Sequence, residues 1–211
     1  MIIKKPIVIL LLTLVSANLC SAQNGRDAEA FLDKVIDRLQ HATGVTASFT
    51  LRSDDRNALY MEGELKMKGK KFYLHTKDMT TWYDGKTMWS YARSINEVNI
   101  TEPSVQELMS INPYYSLSHY KKAFGVSELK AARSGERQIC LIPLDRNTSL
   151  SRIVITIATA TLSPVSFEVT DLNRNTTHIS ITDYDTKTSL PEQTFIFTPD
   201  QYPQAEVIDL R

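Results

Sequence analysis

The chain predicts a mainly β fold of the α+β class, one large and strongly curved antiparallel sheet with a few helices over its hollow side. Three observations carry this expectation. From Val45 onward, apolar and polar residues alternate with period two in roughly ten segments, more than an open sheet holds without curling or closing. One amphipathic helix precedes these segments. Two short helical pieces interrupt them midway, and together the helices are the only material available to fill the concave side.

The first 22 residues are expected to leave the chain as an export signal. Lys4 and Lys5 precede an apolar run from Ile7 to Val15 that is too short to span a bilayer, and Cys20 and Ala22 stand at the minus-three and minus-one positions of a cleavage site after Ala22. A lipid-anchored alternative needs a small residue before the cysteine, where this chain has Leu19. Taking 22 from 211 leaves 189 residues, 23–211, enough for one domain with a real core. Losing two lysines leaves 22 basic against 24 acidic residues, a net charge of −2 that favours neither nucleic acid nor an anionic surface. Cys140 is then the single cysteine, so no internal disulfide is expected, and its apolar strand context reads as core.

The helix is expected over Asp27–Thr43, with Phe31, Leu32, Val35, Ile36 and Leu39 on one side, Asn24 or Asp27 as its cap and Gly44 as a left-handed stop. Strands follow at Val45–Leu51 and Leu59–Met67, then a basic turn around Gly69, and Lys71–Thr76. In Thr80–Tyr91, Asp84-Gly85 reads as a two-residue hairpin loop that pairs Tyr83 with Lys86, Trp82 with Thr87, Thr81 with Met88 and Thr80 with Trp89. Trp82, Trp89 and Tyr91 then share one face, either in a sandwich core or as the wall of a cavity for an apolar ligand. A turn at Ser94–Asn96 and a short strand at Glu97–Ile100 come next. Ser104 and Glu107 have capping-box spacing before a short helix carrying Leu108 and Met109, and a second piece over Tyr114–Phe124 ends at Gly125. The remaining strands are expected at Val126–Ala132, Gln138–Pro143, Ser151–Ala158, Val165–Asp171, Thr176–Asp183 and Phe195–Thr198, with a tight turn at Asn173–Asn175.

Catalytic patterns are not met. His41, His75, His119 and His178 are scattered singletons without metal-ligand spacing, so no metal site is expected. Two SxxK matches, at Ser118 and Ser127, lack companion motifs; GxSxG and GxGxxG are absent. Asp183 and Asp185 flank Tyr184 near a strand end and read as turn carboxylates rather than as a catalytic pair. In their place is a stock of flexible apolar side chains, Met61, Met67, Met79, Met88 and Met109, which suit either a core or a surface that adapts to ligands of variable shape.

The order of these pieces resembles a known family. Gly63-Glu64-Leu65 followed by a basic turn and Phe72, then Asp84-Gly85-Lys86-Thr87-Met88-Trp89 with Tyr91, Ile139–Pro143, and Phe195-Ile196-Phe197-Thr198-Pro199 are similar to the periplasmic outer-membrane lipoprotein carriers, the LolA-like proteins. The resemblance spans essentially all of residues 23–211. It implies an incomplete β-barrel whose hydrophobic cavity, covered by helices, holds lipoprotein acyl chains on their way to the outer membrane. It also implies a periplasmic, non-enzymatic chaperone without cofactor. Its partners would be acyl chains or other lipid, an inner-membrane release complex and an outer-membrane acceptor; no nucleic acid is implied, and the carrier would act as a monomer. Expected lipid contacts are Phe49, Leu65, Met67, Phe72, Leu74, Trp82, Met88, Trp89, Tyr91, Leu108 and Met109. Family carriers place Arg-Pro in the turn where this chain has Lys68-Gly69-Lys70-Lys71, so Lys68, Lys70 and Lys71 are expected to work the lid by reaching carbonyls of the Ser104–Ser110 helix, as point charges in place of a guanidinium fork. The same fold would also suit an envelope lipid sensor with different cargo. A hydrolase with a triad assembled only on folding is the reading from another class.

Overall fold

The computed structural model describes residues 13–54, 59–105, 107, 108, 117 and 119–211, with side chains from Asn24 onward. Helix α1 (Thr13–Gln40) comes first, and Ala28, Phe31, Leu32, Val35 and Ile36 form its buried stripe at helical spacing. It starts upstream of the expected caps and runs through Gly25, so Asn24 and Asp27 lie inside the helix, where no cap is needed. Its C-terminus is also not the left-handed stop expected of Gly44. That glycine is required for closeness: a Cβ there would lie 2.5 Å from the Thr188 carbonyl oxygen and 2.8 Å from the Leu190 side chain.

Twelve strands form one sheet in the order β12-β6-β5-β4-β3-β2-β1-β11-β10-β9-β8-β7. In chain order they are β1 (Val45–Ser53), β2 (Tyr60–Lys68), β3 (Lys71–Thr76), β4 (Met79–Tyr83), β5 (Met88–Ala92), β6 (Glu97–Thr101), β7 (Phe124–Leu129), β8 (Glu136–Pro143), β9 (Leu150–Ala158), β10 (Ser163–Asp171), β11 (Thr176–Asp185) and β12 (Glu206–Asp209). The sheet is open, with β7 and β12 at its edges. Two antiparallel meanders, β1–β6 and β7–β11, are joined where β1 meets β11, Phe49 opposite Ile181 and Leu51 opposite Ile179. The expected turns form as read. Gly69 (φ 57°) closes β2 onto β3, Asn96 (φ 53°) follows β5, and Asp171 grips the Asn175 backbone and side-chain amides while Arg174 takes φ 70°.

The sheet and the segments around it depart from expectation as well. The β4–β5 loop spans Asp84–Thr87, because the Asp84 carboxylate accepts the Lys86 and Thr87 amides at 2.8 Å each and so draws both residues into the turn. Tyr83 is therefore opposite Met88 and Trp82 opposite Trp89. This register differs from the expected one by two residues, an even shift, so Trp82, Trp89 and Tyr91 still share a face. Phe195–Thr198 is no strand: Glu192–Phe195 and Pro199–Gln201 are 3-10 turns that carry buried Phe195 and Phe197 back to the sheet. After them β12 runs parallel to β6, the single parallel pair among the described strands. Helix α2 (Tyr120–Ala123) ends before Phe124, which already has extended φ and ψ, so Gly125 lies inside β7 rather than at a helix stop. The rest of the expected Tyr114–Phe124 helix, apart from residues 117 and 119, is outside the described residues.

Candidate lipid-binding face

Strand alternation sorts the sheet into two faces, and their chemistry differs. The pairs Val45–Met67, Met67–Phe72 and Phe72–Tyr83, with Met88 opposite Tyr83, place these side chains on one face. They pack with Leu39 and Ala42 at the end of α1 and with Leu108. Further along the same face, Ile139, Leu141, Ile155 and Ile157 are buried under Phe31, Leu32, Val35 and Ile36. The helix-covered face is thus lined by two apolar clusters, one under residues 28–36 of α1 and one at its C-terminal end.

Away from α1, the same face continues as a half-exposed apolar strip. Phe49, Leu51 and Met61 on β1 and β2 adjoin Ile179 and Ile181 on β11 and Val169 on β10, while their chain neighbours Thr50, Arg52, Glu62, Ser180 and Thr182 point to the other side. Phe49 lies flat across Gly63, where a Cβ would stand 2.6 Å from its ring and 2.4 Å from the His75 carbonyl oxygen. Gly63 is a glycine so that this ring can lie against the backbone. Tyr184 reaches the first cluster from a bulge in β11, where Asp183 adopts φ 51° and one extra residue intervenes between the Thr46–Asp185 and Ser48–Thr182 pairs. Burial raises the Tyr184 phenol above its ordinary value.

Of the expected lipid contacts, Phe49, Leu65, Met67, Phe72, Leu74, Met88 and Leu108 come together on the helix-covered face. The structure places Trp82, Trp89 and Tyr91 on the opposite face. There they join Tyr73 and Val98 beneath Phe197 and Tyr202, with Trp82 edge-on to both of these rings at 5.4 and 5.6 Å. The aromatic stripe is therefore a second core, sealed by the C-terminal segment. Met109 lies outside the described residues. Leu51, Met61, Ile179 and Ile181, which the strip also contains, are not among the expected contacts: their alternation is visible in the sequence, but the β1–β11 pairing that gathers them is not.

Two lysines of the basic turn find partners other than the expected carbonyls. Lys68 Nζ donates to the Leu190 carbonyl (3.1 Å) and pairs with Glu192 (3.0 Å), and Lys71 pairs with the other oxygen of the same carboxylate. The two lysines hold the Glu192 carboxyl below its usual range. What the turn secures is the segment leading to Glu192, whose Leu190 side chain fills the space beside Gly44; Lys70 is exposed in the turn itself. Ser104 and Glu107 do form the capping box, the Ser104 amide donating to Glu107 at 2.7 Å and the Glu107 amide to the Ser104 hydroxyl at 3.3 Å.

One ion pair lies under α1. The Arg137 guanidinium meets the Glu128 carboxylate side-on, with Nε to Oε1 at 2.7 Å, and its carbon stands 4.3 Å from the Phe31 ring centroid. The Arg137 hydrogen bond holds the Glu128 carboxyl below its ordinary value. A carboxyl lowered on folding contributes stability that is present above its unfolded value of about 4.3 and lost as pH falls through the folded one. Glu128→Gln is expected to cost about 1–2 kcal/mol at neutral pH, less than for a fully buried pair. It should also flatten the loss of stability below about pH 5, read from urea midpoints between pH 3 and 7. Unchanged midpoints would show that the pair does not hold the helix.

The histidines have separate local partners: His41 bonds the Asp37 carbonyl, His75 the Thr80 hydroxyl and His178 the Asp54 carboxylate. Asp185 caps the following turn through the Lys187 amide and the Thr188 hydroxyl. Among the described residues no group of three His, Cys, Asp or Glu side chains is placed to hold a metal. No described helix is long and apolar enough to cross a membrane.

Residues 19–172 match the family described as outer membrane lipoprotein carrier protein LolA. The chain belongs to this family. Among solved structures, it is similar to an uncharacterized conserved protein from Thermus thermophilus, with TM-score 0.59 and 14% identity over 87% of this chain and 99% of that one. A putative outer membrane lipoprotein-sorting protein domain from Vibrio parahaemolyticus follows with TM-score 0.47 and 13% identity over 82% and 97% of the two chains. MucB in the Pseudomonas aeruginosa MucA/MucB complex gives TM-score 0.45 and 11% identity over 82% of this chain and 62% of that one. No curated protein matches. The open antiparallel sheet with few helices is the architecture of this LolA-like member.

Proposed function

We propose that this protein is a periplasmic carrier that shields lipoprotein acyl chains on its helix-covered face during transfer towards the outer membrane. The observation that supports the reading best is the half-exposed strip of Phe49, Leu51, Met61, Val169, Ile179 and Ile181, which continues the buried clusters and has Thr177, opposite Val169, at its border. Acyl chains offer no hydrogen-bonding groups, so a site for them needs apolar area and pliant side chains, which Phe49, Leu65, Met67, Phe72, Leu74, Met88 and Leu108 add next to the strip. The reading also takes in export by residues 1–22, action as a monomer, and hand-over between an inner-membrane release complex and an outer-membrane acceptor. Lys68 and Lys71 would act in release through their hold on Leu190 and Glu192.

The test is displacement of a fluorescent fatty-acyl probe by a synthetic diacylated lipopeptide. Displacement is expected from the wild type. Ile179→Glu places a charge on the strip, where partial exposure lets the fold accept it, and should weaken probe binding at least about tenfold, the order of effect expected from an unpaired charge facing an apolar ligand. Wild-type affinity in a folded Ile179→Glu protein would overturn the assignment of this face.

A further inference from the structure

The strands of the two meanders run alternately up and down, and β1 ends where β11 begins, with Ser53 opposite Thr177. The β1–β2, β3–β4, β5–β6, β8–β9 and β10–β11 turns therefore share one rim of the sheet. Each brings out a large apolar side chain, in that order Leu59, Met79, Ile95, Leu144 and Leu172, between 40% and 64% exposed. One exposed apolar residue needs no explanation. Their distribution does, because none of the four turns at the opposite rim (69–70, 84–87, 130–135 and 159–162) exposes one; Val105, Leu129 and Leu210, exposed towards that end, stand outside its turns. Four of the five tips also have a cation in the same turn, Lys77, Arg93, Arg146 and Arg174. None of these four forms an ion pair among the described residues.

We infer that this rim docks on the surface of a bilayer of zwitterionic phospholipids, the apolar tips entering the headgroup layer while the neighbouring cations meet phosphates. Isolated tips separated by polar turn residues suit a lipid surface, which each can enter on its own, whereas the centre of a protein interface needs a continuous apolar patch. Long basic side chains lie back along such a surface and keep their charge at phosphate level. The carboxylates of the same turns select the headgroup. Asp78 is exposed beside Lys77, Asp145 accepts the Asn147 amide, and Asp171 holds both amides of Asn175. With both signs in near balance, the rim gains little from an anionic lipid. The inference goes beyond the acyl-binding reading and gives it an entry. Leu51, Met61, Val169 and Ile179 lie near the rim ends of β1, β2, β10 and β11, so a rim seated on a bilayer puts the half-exposed strip over the lipid.

The test is co-flotation with unilamellar phosphatidylcholine vesicles, made with and without phosphatidylglycerol, of the protein purified after export and so without the apolar run from Ile7 to Val15. The wild type is expected to float with both, and raised salt should change this little. Ile95→Ser, Leu144→Ser and Leu172→Ser should each lower the partition coefficient about fivefold, the order for a leucine-sized side chain that is partly buried on binding. The triple variant should stay in the soluble fraction. All three residues are exposed, so its melting should match the wild type. Val105→Ser and Leu210→Ser, at the other end of the sheet, should float as the wild type does. Absence of wild-type flotation, binding confined to the anionic vesicles and released by salt, or undiminished binding of the triple variant would each overturn the docking rim. So would binding lost in Ile179→Glu and kept in the triple variant, which would place the contact at the strip. Acyl-probe affinity measured without vesicles should be the same in the triple variant and the wild type, so a failed flotation leaves the acyl-binding reading standing and a failed probe titration leaves the rim.

Discussion

Trp82→Ala is expected to lose about 3–5 kcal/mol of unfolding free energy, the range for a buried large aromatic cut to alanine. Trp82 is 5% exposed and touches the rings of Tyr73, Phe197 and Tyr202. Its removal leaves a hollow that the sheet cannot close, because the backbone on one side is fixed by β3 and β5. The C-terminal segment should loosen as well, since Phe197 and Tyr202 dock on that face against this ring together with Tyr73, Trp89, Tyr91 and Val98. Urea denaturation gives the stability, and faster amide exchange over Glu206–Asp209 would report the loosened strand. Affinity for an acyl probe should nonetheless stay at the wild-type level in the folded variant, because Trp82 lies on the face away from α1. A tenfold loss of affinity with the fold intact would mean that ligand reaches the aromatic face.

Gly63→Ala is expected to lose about 3 kcal/mol, the upper end of the range for overpacking. The added methyl would stand 2.4 Å from the His75 carbonyl oxygen, which β2–β3 pairing holds in place, so the Phe49 ring has to yield first. Phe49 opens the apolar strip, and the same change should therefore weaken acyl-probe binding. Gly63→Ala combined with Phe49→Ala relieves the ring contact but not the carbonyl contact, so only part of the stability should return. Wild-type stability for Gly63→Ala would show that the two strands separate more easily than their pairing implies.

Much of this architecture was legible in the residues because the rules that produce it are local. Alternation in Val45–Leu51 and in Ile153–Ile157 sets which side chains share a face, since successive Cβ atoms of a strand point to opposite sides. Gly69, Asn96 and the Asp171–Asn175 turn mark reversals by backbone conformations that few residues adopt. Ser104 and Glu107 announced a helix start through two hydrogen bonds within one turn. Even the misread register of the aromatic hairpin kept Trp82, Trp89 and Tyr91 together, because an even shift preserves the face.

Period two gives parity without saying what each face meets. Along β3 to β5 both faces are apolar, Phe72 and Tyr83 on one and Tyr73 and Trp82 on the other, so only the packing of α1 and of the C-terminal segment tells the ligand-side candidates from the second core. The pairing of β1 with β11 joins residues about 130 positions apart, and that contact alone brings Ile179 and Ile181 beside Phe49 and Leu51. Phe195 and Phe197 alternate as a strand would, yet Phe195 ends one 3-10 turn and Phe197 lies just before another, while β12 takes the side of β6 not paired with β5. The partners of Lys68 and Lys71 were also beyond sequence reasoning: a flexible four-carbon side chain on a turn reaches whichever acceptor the fold brings near, and here the path of the chain after β11 brings Leu190 and Glu192.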